Sequence, residues 1–170
     1  KGANAPTALS SAATFSVPCD LADSARAIHR RRNVFYLFNF ILDLRKKVRQ
    51  KAAVYPGLID ECGLENLHDL HAFDSRYTAP AYGYSSVEDY WRSNSCVYFL
   101  HNVRIPSLIV NAGNDTFLGG RCFPVESVRR SDYVHMEVPD SGGHVGFPLR
   151  GGACWMEQRA LQFFAEMISE

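Results

Sequence analysis

The five cysteines, Cys19, Cys62, Cys96, Cys122 and Cys154, are odd in number and include no C-x-x-C pair. A disulfide framework and a structural zinc site are both disfavoured, and a reducing, cytoplasmic compartment is expected. Net charge is missing too: 18 Lys plus Arg balance 18 Asp plus Glu, so no global field argues for nucleic acid or an acidic partner. No apolar run approaches the ~20 residues of a membrane span. The opening residues are mixed and polar, without the apolar core of a signal peptide. They reach a strand-like stretch by Ala12, as expected of a chain that starts inside a longer protein. Internal repeats and low-complexity tracts are absent.

What is present reads as one ordinary globular α/β unit, 46% hydrophobic and 21% charged. Three β-branched runs, Ala12 to Val17, Ile105 to Asn111 and Tyr133 to Val138, have the look of buried parallel strands. Residues between the first two runs are far more than a crossover helix requires. They read as helical: from Asp20 as cap through about His29, from Asn33 to about Ala53, from Leu64 to Phe73, and from Ser86 to Ser93. The last has capping-box spacing twice, Ser85 with Glu88 and Ser86 with Asp89. A terminal helix, Trp155 to Ile168, is expected to present Leu161, Phe164, Ala165 and Ile168 on one face, with Phe163 to one side. The expected organisation is a core strand and its lead-in over residues 1–19, a helical cap or lid over 20–104, and a C-terminal core over 105–170.

In open parallel sheets, catalytic groups gather at the C-terminal ends of strands. Asp115 follows the second strand in Gly113-Asn114-Asp115-Thr116. His144 follows the third in Ser141-Gly142-Gly143-His144-Val145-Gly146-Phe147. An Asp in such a turn is ordinarily a turn former, and a lone His in a Gly-rich loop is often structural. The pair at equivalent strand ends is more informative, because a carboxylate on an imidazole fixes its tautomer and stabilises the imidazolium.

From about Ala12 onward the chain resembles the YheT-like branch of the α/β-hydrolases. The matching stretches are Ser16-Val17-Pro18-Cys19-Asp20-Leu21, Phe73-Asp74 with Tyr77-Thr78-Ala79-Pro80, Gly83-Tyr84, Asp89-Tyr90-Trp91 and Ser95-Cys96. They continue with Ile105-Pro106-Ser107-Leu108-Ile109, Asn114-Asp115-Thr116-Phe117, Gly142-Gly143-His144-Val145-Gly146-Phe147 and Trp155. The resemblance implies the C-terminal part of an α/β-hydrolase fold and a Ser–Asp–His triad hydrolysing acyl esters. Asp115 matches the acid and His144 the base, with no metal or organic cofactor. One departure stands out: Asn114 and Thr116 occupy positions where the family tends to have Asp and Pro, which puts the turn geometry in question.

The nucleophile of this fold sits on a G-x-S-x-G elbow, and none occurs here. Gly83-Tyr84-Ser85-Ser86-Val87 lacks the closing Gly, so Ser85 and Ser86 read as caps. Cys19, the other candidate, reads as a buried thiol. Two explanations follow. The serine belongs to an upstream half of the same protein, or the chain is a non-catalytic binding module that kept the fold. A bare three-strand sheet exposes its edge, so pairing with that upstream half or with a dimer partner is expected.

Eight basic residues fall between Arg30 and Lys51, around the apolar run Val34 to Leu42. The expectation is a cap helix with a solvated basic end, or one that lines an acyl pocket or touches an anionic membrane through Arg45, Lys46 and Lys47. His68 and His71, with Glu65, Asp69 and Asp74 nearby, read as surface polar residues rather than a metal site.

Overall fold

A computed structural model describes residues 8–149 and 151–168. Residues 1–7, at the head of the expected first unit, and residues 150, 169 and 170, in the expected third, lie outside the described residues. Three parallel strands, β1 (Ala12–Phe15), β2 (Ser107–Val110) and β3 (Val134–Glu137), form one open sheet in the order β1-β2-β3. Each coincides with an expected run but is shorter. Ser16 turns to a left-handed φ of 54° and ends β1, although its N–H still reaches Val110 O at 2.8 Å. Pro106 has no N–H to give, and its carbonyl takes the Ala12 N–H at 2.9 Å.

Because side chains alternate across a strand, β2 feeds two cores. Ile109 packs with Cys19, Leu100, Leu118, Cys122 and Val134 on one face. Leu108 and Val110 pack with Phe147 and Phe163 on the other. Covering both faces is what an all-parallel sheet requires.

The helical segment between β1 and β2 begins with α1 (Leu21–Ile28), whose N-cap Asp20 accepts the Asp23 N–H at 3.0 Å. The long helix α2 (Val34–Val54) stops before Pro56-Gly57 as expected. The helix expected over Leu64 to Phe73 is instead two pieces, a 3₁₀ turn at Leu64–Asn66 and α3 (Leu70–Phe73). Asp69 is the cause: its carboxylate accepts the Ala72 N–H at 2.7 Å and restarts the chain as an N-cap. A π-helical turn, Asp74–Thr78, then carries α3 into α4 (Ala79–Ala81), a continuation the sequence reading missed. Of the two possible capping boxes before α5 (Val87–Asn94), Ser86 makes the cap, accepting the Asp89 N–H at 3.0 Å.

After β2 the chain makes the short α6 (Val125–Val128), then β3, then α7 (Trp155–Ile168). The facing of α7 corrects the expectation. Phe163 is its buried residue, with Met156, Phe164 and Met167 packed alongside, whereas Leu161 and Ile168 stay 70% and 84% exposed. Arg159, one turn before Phe163, binds the Glu137 carboxylate at the end of β3 through Nε at 2.9 and 3.1 Å. That pair fixes the rotation of the helix. Among the described residues no helix is long and apolar enough to cross a membrane.

Candidate active site

The strand ends bring the two expected residues together. Gly113 N–H donates to Pro139 O at 2.8 Å, tying the loop after β2 to the chain leaving β3. The Asp115 side chain is wholly buried and the His144 side chain 37% exposed, with Nδ1 2.8 Å from Oδ2. Oδ1 accepts the Phe117 N–H at 2.9 Å. A carboxylate only accepts, so the proton between the two sits on Nδ1, leaving Nε2 to receive one. Among the described residues nothing else hydrogen-bonds the ring. This is the geometry of an oriented base.

Glycine makes the His144 loop possible. A Cβ on Gly142 would lie 2.3 Å from the Phe147 ring, and Gly143 holds a φ of +66°. Phe147 is itself buried, stacked on Trp155 at 5.7 Å and edge-on to Phe15 at 6.1 Å. The loop is thus closed onto the core formed by Leu108, Val110 and Phe163.

The two departures, Asn114 and Thr116, have structural work. Asn114 Oδ1 accepts the N–H groups of Gly142 and Gly143 at 3.1 and 2.9 Å, so the Asp115 loop clamps the His144 loop. Thr116 Oγ1 donates to Asn33 Oδ1 at 2.7 Å, and Asn33 Nδ2 donates back to Thr116 O at 2.7 Å and to Ala27 O at 2.9 Å. A proline there would have no hydroxyl for that bond. Asn114→Ala in the full-length protein is expected to lower kcat about 10- to 100-fold, in line with loss of an outer-shell support, while Asn114→Asp, which keeps the acceptor, restores most of it. Equal rates for wild type and Asn114→Ala in a steady-state ester assay would remove the clamp from the argument.

Sequence reasoning missed Asn33, the Asn114 clamp and the aromatic wall. Asn33 resembles a helix cap, yet its side chain makes no cap bond and is buried instead. Phe117 lies against His144 with ring centroids 4.7 Å apart, and Tyr36 and Phe40 of α2 meet Phe117 edge-on at 5.0 and 5.7 Å. The aromatic character of Val34 to Leu42 was the available signal.

Other candidates separate from the site. Cys19 is fully buried; hydrogen bonding with the Cys96 thiol and burial push its pKa up, so it stays an unreactive thiol. All five cysteines are free. Arg45 corrects the expected basic surface: it is buried and bonded to the Glu65 carboxylate at 3.1 Å and to the carbonyls of Glu65 and Leu67, both at 2.8 Å. Only Lys46 and Lys47 of that trio face outward. His68 meets Arg45 at 3.2 Å and His71 meets Glu88 at 2.9 Å, so the two histidines part company. Among the described residues no cluster suited to a metal ion occurs. A cleft of about 650 Å³ between α2 and residues such as Ile59, Phe73 and Tyr77 includes neither Asp115 nor His144.

No protein-family model and no solved structure matches the chain. Curated proteins do. Phospholipase ABHD3 of Mus musculus is 32% identical over 168 residues, 95% of this chain and 40% of the relative. YheT of Escherichia coli K12 is 32% identical over 130 residues, 73% of this chain and 37% of the relative. Monoacylglycerol lipase of Saccharomyces cerevisiae is 28% identical over 174 residues, 96% of this chain and 38% of the relative. The chain therefore spans about 40% of the length of the ABHD3 relative.

Proposed function

This chain belongs to the YheT-like family of α/β-hydrolases, and we propose that it supplies the acid and base of a Ser–Asp–His triad in a carboxylic-ester hydrolase. The observation that carries this reading is the 2.8 Å bond from His144 Nδ1 to a buried Asp115 carboxylate, with no partner on Nε2 among the described residues. The serine belongs to an upstream segment of the full-length protein, since no G-x-S-x-G elbow occurs in these residues.

His144 Nε2 takes the proton of that serine as its oxygen attacks the ester carbonyl, and returns it to the leaving alkoxide as the acyl-enzyme forms. Water then repeats the cycle, releasing the carboxylic acid. Asp115 holds the ring and stabilises its positive form. These steps call for no metal or organic cofactor. An acyl-ester or lipid substrate fits the names of the relatives, a phospholipase and a monoacylglycerol lipase, and the apolar wall of Phe117, Tyr36 and Phe40 beside His144.

The division into lead-in strand 1–19, cap 20–104 and C-terminal core 105–170 belongs to this reading. So does a partner for the sheet edge, the upstream half or a second copy, because among the described residues β1 and β3 each have a strand neighbour on one side only. Five free thiols favour a cytoplasmic setting. By itself the chain is expected not to turn over an ester. The test is a fluorophosphonate probe on the full-length protein: one serine is labelled in the wild type, and the rate falls at least about 10³-fold in His144→Ala. A wild type that takes no label would instead make this a binding module that kept the fold.

A further inference from the structure

The helix α2 buries one stripe, Leu37, Ile41, Arg45, Val48 and Ala52, and leans Tyr36 and Phe40 on Phe117. That leaves a second apolar face with no cover among the described residues. Phe35, Phe38 and Leu42, at i, i+3 and i+7, are 79%, 60% and 42% exposed, and Val34 beside them is 51% exposed. Contiguous exposed apolar surface of this kind marks a binding face.

Immediately before it stand Arg30, Arg31 and Arg32, all exposed and with no carboxylate partner among the described residues. They sit where the helix dipole is positive, and no acidic residue occupies the first turn of α2. Cations at that end work against the helix. They do not serve α2 itself. The basic cluster thus demands anions from outside, next to a face that demands apolar contact.

We propose that this face docks on an anionic phospholipid bilayer, with Phe35, Phe38 and Leu42 entering the acyl boundary and Arg30–Arg32 meeting lipid phosphates. A bilayer presents those two chemistries in that order, phosphates at the surface and chains a few ångström below. A protein interface would have to bring several unpaired carboxylates beside an apolar socket. Docking there also sets the Tyr36–Phe40–Phe117 wall, and His144 behind it, close to the lipid surface. The inference replaces the basic trio of the sequence reading, whose Arg45 points inward. It rests on the cap surface and not on the triad: His144→Ala is expected to bind vesicles as the wild type does, so failure of the hydrolase reading leaves it standing.

The test uses full-length protein and vesicles of phosphatidylcholine with or without phosphatidylserine. Wild type is expected to sediment with the anionic vesicles, less as salt rises. Replacing Arg30, Arg31 and Arg32 together by Gln should weaken that binding about 100-fold, near a factor of five per residue. Phe35→Ser with Phe38→Ser should weaken it as well. In Phe38→Cys, a polarity-sensitive thiol dye, mapped to that position by peptide mass, should shift to the blue only when anionic vesicles are added. Three results overturn the proposal: vesicle binding unchanged in the Arg variant, position 38 closed to the dye without vesicles because protein covers it, or protection of position 38 that follows protein concentration through a second copy.

Discussion

Asp115→Asn in the full-length protein is expected to lower kcat by about 10⁴-fold, with KM and thermal stability little changed. The size follows from which atoms the side chain faces. Phe117 N–H requires an acceptor and finds Oδ1 at 2.9 Å, while Oδ2 faces His144 Nδ1 at 2.8 Å. An amide in the same place keeps its oxygen on the Phe117 N–H, because turning it round would set two N–H donors against each other. Its NH₂ then points at Nδ1, which becomes the acceptor and sends the ring proton to Nε2. A base protonated on Nε2 takes no proton from a serine. Packing is conserved, since Asn and Asp are isosteric and the site is closed, so the melting temperature serves as the control. Steady-state rates on a chromogenic short-chain ester decide the matter. A variant within tenfold of the wild type would mean that Asp115 serves the fold and not the base.

How far the sequence could lead depended on the reach of each interaction. Asp20 and Ser86 were legible as caps because each bonds an N–H three residues on. The pairing of Asp115 and His144 was legible because glycine-rich turns at strand ends are local patterns, and the roles proposed for them came from the resemblance. Arg45 was misjudged because its partners Glu65, Leu67 and His68 lie 20 to 23 residues away and draw a cation inward. The rotation of α7 was misjudged likewise, its periodicity allowing two apolar faces and distant partners, the sheet core around Leu108, Val110 and Phe147 together with Glu137, choosing between them. Asn33 to Thr116 spans 83 positions. Nothing in either local stretch announces that bond.

The longest of these reaches carries the largest expected change in stability. Asn111 is fully buried just past β2. Its Oδ1 accepts the Val17 N–H at 2.7 Å, and its Nδ2 donates to Val17 O at 3.0 Å and to Cys122 O at 2.8 Å. The left-handed Ser16 has just ended β1, so these bonds replace the ladder that would otherwise hold Val17 to the sheet. Asn111→Leu nearly conserves volume, which keeps the cavity contribution small, but strands the Val17 N–H and the Cys122 carbonyl, while Val17 O keeps the Cys19 N–H at 2.8 Å. At about 1–3 kcal/mol for each unsatisfied group, the loss is expected to reach about 2 kcal/mol or more, a large share of the roughly 5–15 kcal/mol that holds a domain together. Asn111→Asp should fare no better, because a carboxylate keeps the Val17 N–H yet faces two carbonyl oxygens. Urea unfolding of the full-length protein measures the change, and a loss under about 1 kcal/mol would mean that water enters and satisfies the stranded groups. Since the acid loop starts from this same residue, its loosening should also reach Asp115, and activity should fall in step with stability.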